Sequence, residues 1–309
     1  MAKKRKVKVF RLFLIIFLLL AIIISGIYLY LSLTKKEEPV FNVDDLHINE
    51  LNYSDVKELP IELHSKEYLL IRLNDFKVEY AKGNDKKTYP ASLTKVLTMN
   101  TILNDCKNIN ETSSYSDDDW NYLVSQNASM AGLYSGVPYT IKELLYALIL
   151  PSGGDAAIAL SNYATSNGKD LVEMMNSRLI DLNLNNSHFT NPTGLHDDDL
   201  YTTLDDYAKI VINTLLQKDG KEILKSMSYL QDGHIKNSSL KPLEEREDSV
   251  EVFGGKTGYT LEAGMNIMTL YEVNNRSYLL ILANAEGSPY TDGQYHIDDV
   301  NKILEFLYN

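Results

Sequence analysis

The chain has 309 residues and a mass of 35.0 kDa, and its 44% hydrophobic and 23% charged residues exclude a wholly disordered, collagen-like or coiled-coil protein. Its net charge of −12 hides a split: six cations (Lys3, Lys4, Arg5, Lys6, Lys8, Arg11) fall in the first 11 residues, and the other 24 face all 42 acids, a balance of −18 that argues against a nucleic-acid partner. A single cysteine, Cys106, permits no intrachain disulfide and no cysteine-rich metal site.

Residues 12–33 carry no charge and are mostly Leu, Ile, Phe and Ala. As a helix they reach about 33 Å, enough for a bilayer core of about 30 Å. The basic residues 1–11 stay on the cytoplasmic side, so 12–33 is expected to be a single-pass transmembrane signal anchor, with the rest of the chain outside the cell membrane. A cleaved signal peptide is the other reading of the same segment. Residues 34–59, acidic and without period, are expected to be an extracytoplasmic stalk, and 60–309 one folded domain. Within it, 68–73 and 76–81 flank Asn74-Asp75 as a hairpin. Ser92 opens an apolar helical pattern, 107–138 is expected to be mostly loop, and Thr140 with Glu143 forms a capping box for a helix to Leu150. Pro151-Ser152-Gly153-Gly154 breaks that helix, and Asp155 is the expected N-cap of the next. Helices follow over about 169–182 and from Thr203 or Asp205 to about 216. Strand-like runs at 250–253, 266–271 and 278–283 precede a last helix at about 297–307. Strands at both ends with helices between imply an α+β domain whose sheet joins the first and last strands.

Three patterns in this domain can carry chemistry. Ser92-Leu93-Thr94-Lys95 places a hydroxyl and an amine on one helix face, and a lysine serves as base once its pKa is lowered. Ser-x-x-Lys also occurs at Ser32, Ser54, Ser166 and Ser238, but only Ser92 opens an apolar helix. Taken alone, Ser92 reads first as a helix N-cap. Gly254-Gly255-Lys256-Thr257-Gly258 is not a phosphate loop, because that motif needs glycine where Val250 stands. It reads as a strand-end turn or as a strand presenting a cation, a hydroxyl and bare backbone to a peptide, with Gly258 allowing close approach. Ser152-Gly153-Gly154 reads first as a helix–helix connection. His47, His64, His188, His196, His234 and His296 show no zinc spacing, so no metal or cofactor is expected. His196-Asp197-Asp198-Asp199 reads as a solvated loop and Arg276 as a surface charge at a strand edge.

The order and spacing of the three patterns resemble those of the penicillin-recognising serine enzymes, and more closely the serine D-alanyl-D-alanine carboxypeptidases, the low-molecular-weight penicillin-binding proteins. The resemblance runs from about Tyr68 to the C-terminus. It takes in Pro90 to Lys95, Leu144-Leu145 to Asp155-Ala156-Ala157, Phe189 to Leu195, and Lys256 to Thr260 with Ala263-Gly264. It implies a transpeptidase/β-lactamase-like α+β fold, an antiparallel sheet flanked by helices with a mainly helical lobe and the site between them. It also implies removal of the terminal D-alanine from peptidoglycan stem peptides ending in D-Ala-D-Ala, and acylation by β-lactams. By that resemblance Ser92 is the nucleophile, Lys95 its base and Ser152 a proton relay. Lys256 lowers the pKa of Lys95 and helps bind substrate, Thr257 binds the terminal carboxylate, and the N–H groups of Ser92 and Tyr259 form the oxyanion hole beside Gly258. Two departures stand out. Gly154 replaces an asparagine whose amide binds the substrate backbone, a loss of about 0.5–1.5 kcal/mol. The chain also stops 51 residues after Gly258, without the second domain and C-terminal anchor of many relatives. A catalytically weak or silent wall-binding protein and a serine β-lactamase are the alternatives. The first rests on Gly154 alone, and the second lacks a deacylating glutamate.

Overall fold

The computed structural model describes residues 50–308, apart from 232, 245–249, 274 and 275, and the isolated positions 20, 23, 25 and 26. The expected anchor at 12–33, its four helical positions aside, and the expected stalk up to residue 49 lie outside the described residues. Among the described residues no helix is long and apolar enough to cross a membrane.

Strands β1 (Glu67–Arg72) and β2 (Lys77–Lys82) form the expected hairpin. Arg72 closes it by donating to Asp75 and Glu79 at 2.7 and 2.8 Å. A 3-10 turn, Ala91–Leu93, leads into α1 (Thr94–Asp105). The two-residue strands β3 (Thr112–Ser113) and β4 (Tyr139–Thr140) pair with one another and bracket α2 (Asp117–Ser125). Next come α3 (Ile141–Ile149), α4 (Gly154–Ser166), α5 (Leu171–Asp181), α6 (Leu204–Leu216) and α7 (Lys218–Leu224). The hairpin β5 (Ser228–Gln231) and β6 (His234–Asn237) and the single turn α8 (Lys241–Glu244) lead to β7 (Glu251–Thr260), β8 (Gly264–Val273), β9 (Arg276–Ala285) and α9 (Tyr295–Tyr308).

The main sheet runs β2-β1-β9-β8-β7, all antiparallel, so the first hairpin is stitched to the last three strands, as expected. Helix α9 covers one face, where Leu70, Ile267, Tyr271, Leu280 and Leu282 meet Val300, Ile303 and Leu304. Helix α6 packs on β1 and β9. With both faces covered, β8 and β9 are buried at nearly every position and read as continuous apolar runs rather than alternating ones. Helix α1 is the hub of the helical lobe, touching α3, α4, α5, α6 and α7, and is buried from Thr94 to Ile102. Its one amide there is engaged: Asn100 donates to Asn213 and Thr214 at 2.9 and 3.0 Å and accepts from Arg178.

Several sequence expectations need correction. The folded part reaches back past residue 60. Asn52 and Lys57 bridge to β2 in parallel, Tyr53 donates to Asp205, and Leu59 is buried against Tyr68, whose hydroxyl accepts from its N–H at 2.8 Å. The supposed loop at 107–138 contains α2, whose capping box is Ser116 with Asp119, an aspartate in place of the usual glutamate. Strands β7 to β9 each run for ten residues, so Lys256-Thr257-Gly258 lies within a strand rather than after one. The caps at Thr140 and Thr203 form as expected, whereas the N-cap of α4 is Gly153 rather than Asp155.

Because Leu59 is buried in the sheet core, Leu59→Ala is expected to cost about 2–4 kcal/mol, read as a lower urea midpoint at unchanged slope. A residue belonging to a loose stalk would leave the midpoint where it is.

Candidate active site

The turn that carries Ser92 is fixed from three sides, on two of them by backbone contacts that only glycine permits. A Cβ on Gly258 of β7 would lie 2.9 Å from the Pro90 carbonyl oxygen and 3.0 Å from the Ser92 nitrogen. A Cβ on Gly194 would lie 1.9 Å from the Ala91 oxygen, and Gly194 also sits at φ +79. On the third side, Asn266, opposite Gly258 in β8, donates to the Tyr89 carbonyl at 2.8 Å and accepts from the Asn284 N–H at 2.9 Å. Held in this way, Ala91 takes φ +47, which an L residue adopts only at a cost of about 1–3 kcal/mol. The glycine at 258 therefore makes room for the chain's own Ser92 turn, where the sequence suggested room for a substrate.

The Lys95 ammonium, on the first turn of α1, is 2.9 Å from Ser92 Oγ and 2.5 Å from the Thr193 carbonyl oxygen. The loop that supplies this carbonyl is folded around Asn191, whose Oδ1 accepts from the Thr193 and Gly194 N–H groups and the Thr193 hydroxyl. Thr98 Oγ1, one turn along α1, donates to the Pro192 carbonyl at 2.8 Å. Burial pushes the Lys95 pKa down to about 7, against the pull of the Asp155 carboxylate. A carbonyl can only accept, so it takes an N–H from Lys95. A neutral Lys95 then keeps its lone pair for the Ser92 hydroxyl proton.

Lys256 is wholly buried, and its ammonium donates to the Thr257 carbonyl at 2.7 Å. Burial drives it well below the ordinary lysine range, and the Lys95 charge adds to that. Burial is the main cause for both lysines, Asp155 favours the charged form of Lys95, and repulsion between the two amines, when charged, works against both. The Thr257 hydroxyl donates to Ser239 Oγ at 2.8 Å, a partner no sequence pattern indicated.

Ser152 sits between α3 and α4 at φ +64, buried, its hydroxyl without a hydrogen-bond partner among the described residues. Asp155, just beyond it, is fully buried and accepts from the Ala131, Leu133 and Ala156 N–H groups at 2.9, 3.0 and 3.0 Å. It anchors the segment after α2 instead of capping α4. Ser92, Lys95, Gly154 and Tyr259 line one groove of about 360 Å³, with residues 126–129 on one wall and Thr260, Leu261 and Glu262 on another. Ser152, Lys256, Thr257 and Gly258 flank the groove in sequence but do not line it. His196 is at its rim, packed edge-on against Tyr89 and 3.9 Å from Glu262, while Asp197 to Asp199 are exposed. Arg276 is exposed at the start of β9. Among the described residues no group of His, Cys, Asp and Glu is arranged to hold a metal.

Comparison with known proteins agrees with this geometry. Residues 54–287 match the D-alanyl-D-alanine carboxypeptidase family. D-alanyl-D-alanine carboxypeptidase DacF of Bacillus subtilis is 27% identical over 250 residues, 79% of this chain and 62% of that protein. The corresponding enzyme DacA of Escherichia coli is 28% identical over 232 residues, 72% of this chain and 56% of that protein. The chain thus spans about 60% of the length of these relatives. The solved structure of the Streptomyces K15 DD-transpeptidase superposes with a TM-score of 0.70 at 23% identity, over 80% of this chain and 98% of that one. The chain belongs to the D-alanyl-D-alanine carboxypeptidase family and has its α+β penicillin-binding fold.

Gly194 and Gly168 share nearly the same left-handed backbone, φ +79 and +71, but a Cβ on Gly168 meets nothing within 4 Å. Gly168→Ala is expected to cost only about 1 kcal/mol of backbone strain, and Gly194→Ala at least about 3 kcal/mol or the fold itself. Urea unfolding of the pair measures the contact beside Ser92 separately from the backbone effect.

Proposed function

We propose that this member of the D-alanyl-D-alanine carboxypeptidase family removes the terminal D-alanine from peptidoglycan stem peptides through an acyl-enzyme on Ser92. The observation that carries this reading is the 2.9 Å contact between Ser92 Oγ and a buried Lys95 whose pKa is lowered to about 7.

The neutral Lys95 amine takes the Ser92 hydroxyl proton as Oγ attacks the carbonyl carbon of the penultimate D-alanine. The oxyanion forms between the Ser92 and Tyr259 N–H groups, donors that need no reorganisation because the Ser92 turn is packed on β7. As the intermediate collapses, the C–N bond breaks and the proton on Lys95 passes through Ser152 to the leaving amine. The unpartnered, buried Ser152 hydroxyl suits that relay, since it gives up no bond to take part. Thr257, whose hydroxyl bonds Ser239 Oγ, is the proposed partner of the departing carboxylate, and the fully buried Lys256 holds the Thr257 carbonyl rather than touching the substrate. Water, deprotonated by Lys95, then frees Ser92 and releases the shortened peptide. A β-lactam acylates the same oxygen. The apolar residues 12–33 behind six cations support an anchor that holds the domain on the outer face of the cell membrane.

Two outcomes follow. A fluorescent penicillin should label the wild type and not Ser92→Ala, read by gel and intact mass, and D-alanine release from a D-Ala-D-Ala peptide should fall at least about 10³-fold in that variant. Lys95 acts as base only when unprotonated, so the acylation rate should rise with pH to a plateau, with a midpoint near 7. Lys95→Ala should lose about 10²–10⁴-fold and show no such midpoint. Labelling that survives in Ser92→Ala overturns the reading.

A further inference from the structure

The groove is lined by residues 126–129, 193–196 and 259–262 and not by Thr257 or Lys256. With the leaving D-alanine assigned to Thr257, the groove is left for the part of a peptide that stays on Ser92 after acylation. A peptide lying there meets β7 on one side. The facing wall must supply a polar partner for the peptide backbone, and Gly154, in that wall, has no side chain to offer.

A side chain there would also be crowded. A Cβ at 154 would lie 3.1 Å from Leu123 Cδ2, 3.1 Å from the Ser129 carbonyl oxygen and 3.4 Å from Ala128 Cβ. The segment after α2 fills that space and is pinned there. Ser129 O accepts from the Gly154 N–H at 2.7 Å, Asp155 accepts from Ala131 and Leu133, and Lys236 donates to the Ala131 carbonyl at 2.7 Å. At the head of this segment, in the lining of the groove, is Asn127. It is exposed, and no described hydrogen bond uses its carboxamide, whereas the neighbouring Gln126 amide leans on Ser125 Oγ at 3.4 Å.

We propose that Asn127 is the substrate-binding amide of this site. Its Nδ2 and Oδ1 hydrogen-bond the peptide group that precedes the penultimate D-alanine, the task that Gly154 cannot perform. This assignment rests on the proposed acylation of Ser92. A carboxamide suits a peptide group because it both donates and accepts. The segment's anchoring keeps the residue in place before substrate arrives.

Asn127 also ends α2. Its N–H donates to Val124 O and the Ala128 N–H to Leu123 O, both at 3.0 Å, with Asn127 at φ +51, which is the Schellman arrangement. Glycine fills that position at least as well, so Asn127→Gly removes the carboxamide and keeps the turn. The test uses the full chain and a D-Ala-D-Ala peptide. Asn127→Gly should unfold at an unchanged or higher urea concentration and lower kcat/KM by about 3- to 10-fold, the size of one lost hydrogen bond. A depsipeptide with an ester in place of the amide before the penultimate D-alanine should lower wild-type kcat/KM to a similar degree and affect Asn127→Gly little. Gly154→Asn should bring no gain in either background, because residues 128 and 129 occupy the space. Equal kcat/KM for wild type and Asn127→Gly, an equal depsipeptide penalty in both, or a several-fold gain from Gly154→Asn overturns the assignment while leaving Ser92 acylation intact. A wild type that neither takes up penicillin nor releases D-alanine overturns the acylation reading, and this assignment with it.

Discussion

A lysine kept out of water against a serine hydroxyl is the constraint on which the rest of this site depends. Burying an ammonium costs several kcal/mol unless its charge is matched. Here the match is deliberately partial: one carbonyl, one hydroxyl, and a carboxylate, Asp155, that is already committed to three backbone N–H groups. The outcome is a Lys95 that gives up its proton near neutrality. Better pairing would keep it charged and useless as a base, and poorer pairing would destabilise the fold. Asp155 serves both ends, tempering Lys95 through space while tying the segment after α2 to the start of α4.

Position is set by crowding of the backbone. The Ser92 turn is trapped between Gly258 on β7 and Gly194 on the Asn191 loop, and Asn266 ties Tyr89, upstream of the turn, to β8. These contacts link the sheet, the helical lobe and the connecting loop at one point, so the geometry of the serine–lysine pair is tied to the packing of the whole domain. That explains why Ala91, an L residue, sits in the left-handed region next to Ser92: the surrounding structure over-determines it.

The parts readable in the sequence are those where local pattern and tertiary role coincide. Capping boxes, apolar runs and the Ser92, Ser152 and Lys256 patterns each occupy a few consecutive residues, and their order along the chain identified the fold. What escaped depends on partners far away in sequence. Residues 51–59 look like a linker because their order comes from β2 and Asp205, not from their own period. Helix α2 was hidden by an exposed face carrying Trp120, Tyr122 and Val124 and a single buried residue, Leu123. Asp155 reads as a cap at its position, and only the fold brings Ala131 and Leu133 to it. Asn191-Pro192-Thr193-Gly194 reads as a turn, and nothing local says that its third carbonyl receives Lys95 or that its glycine lies against Ala91.

The site thus divides into two structural classes. The proposed nucleophile, base and oxyanion donors sit on α1, the Ser92 turn and β7, and a Cβ at Gly258 or Gly194 would meet the backbone of that turn at under 3 Å. The wall facing β7 is a loop after α2 whose main chain is held by hydrogen bonds, with Ala131 and Leu133 buried and Gln126, Asn127 and Ser129 exposed. A wall built in that way leaves its exposed side chains free to vary. The amide missing at Gly154 therefore does not weigh against acyl chemistry. The parts that would form the acyl-enzyme are coupled to the core, and the part that would bind the peptide backbone is coupled only to the position of a loop. The binding group proposed at Asn127 would thus stand in for one at Gly154 without any change at Lys95 and Ser92.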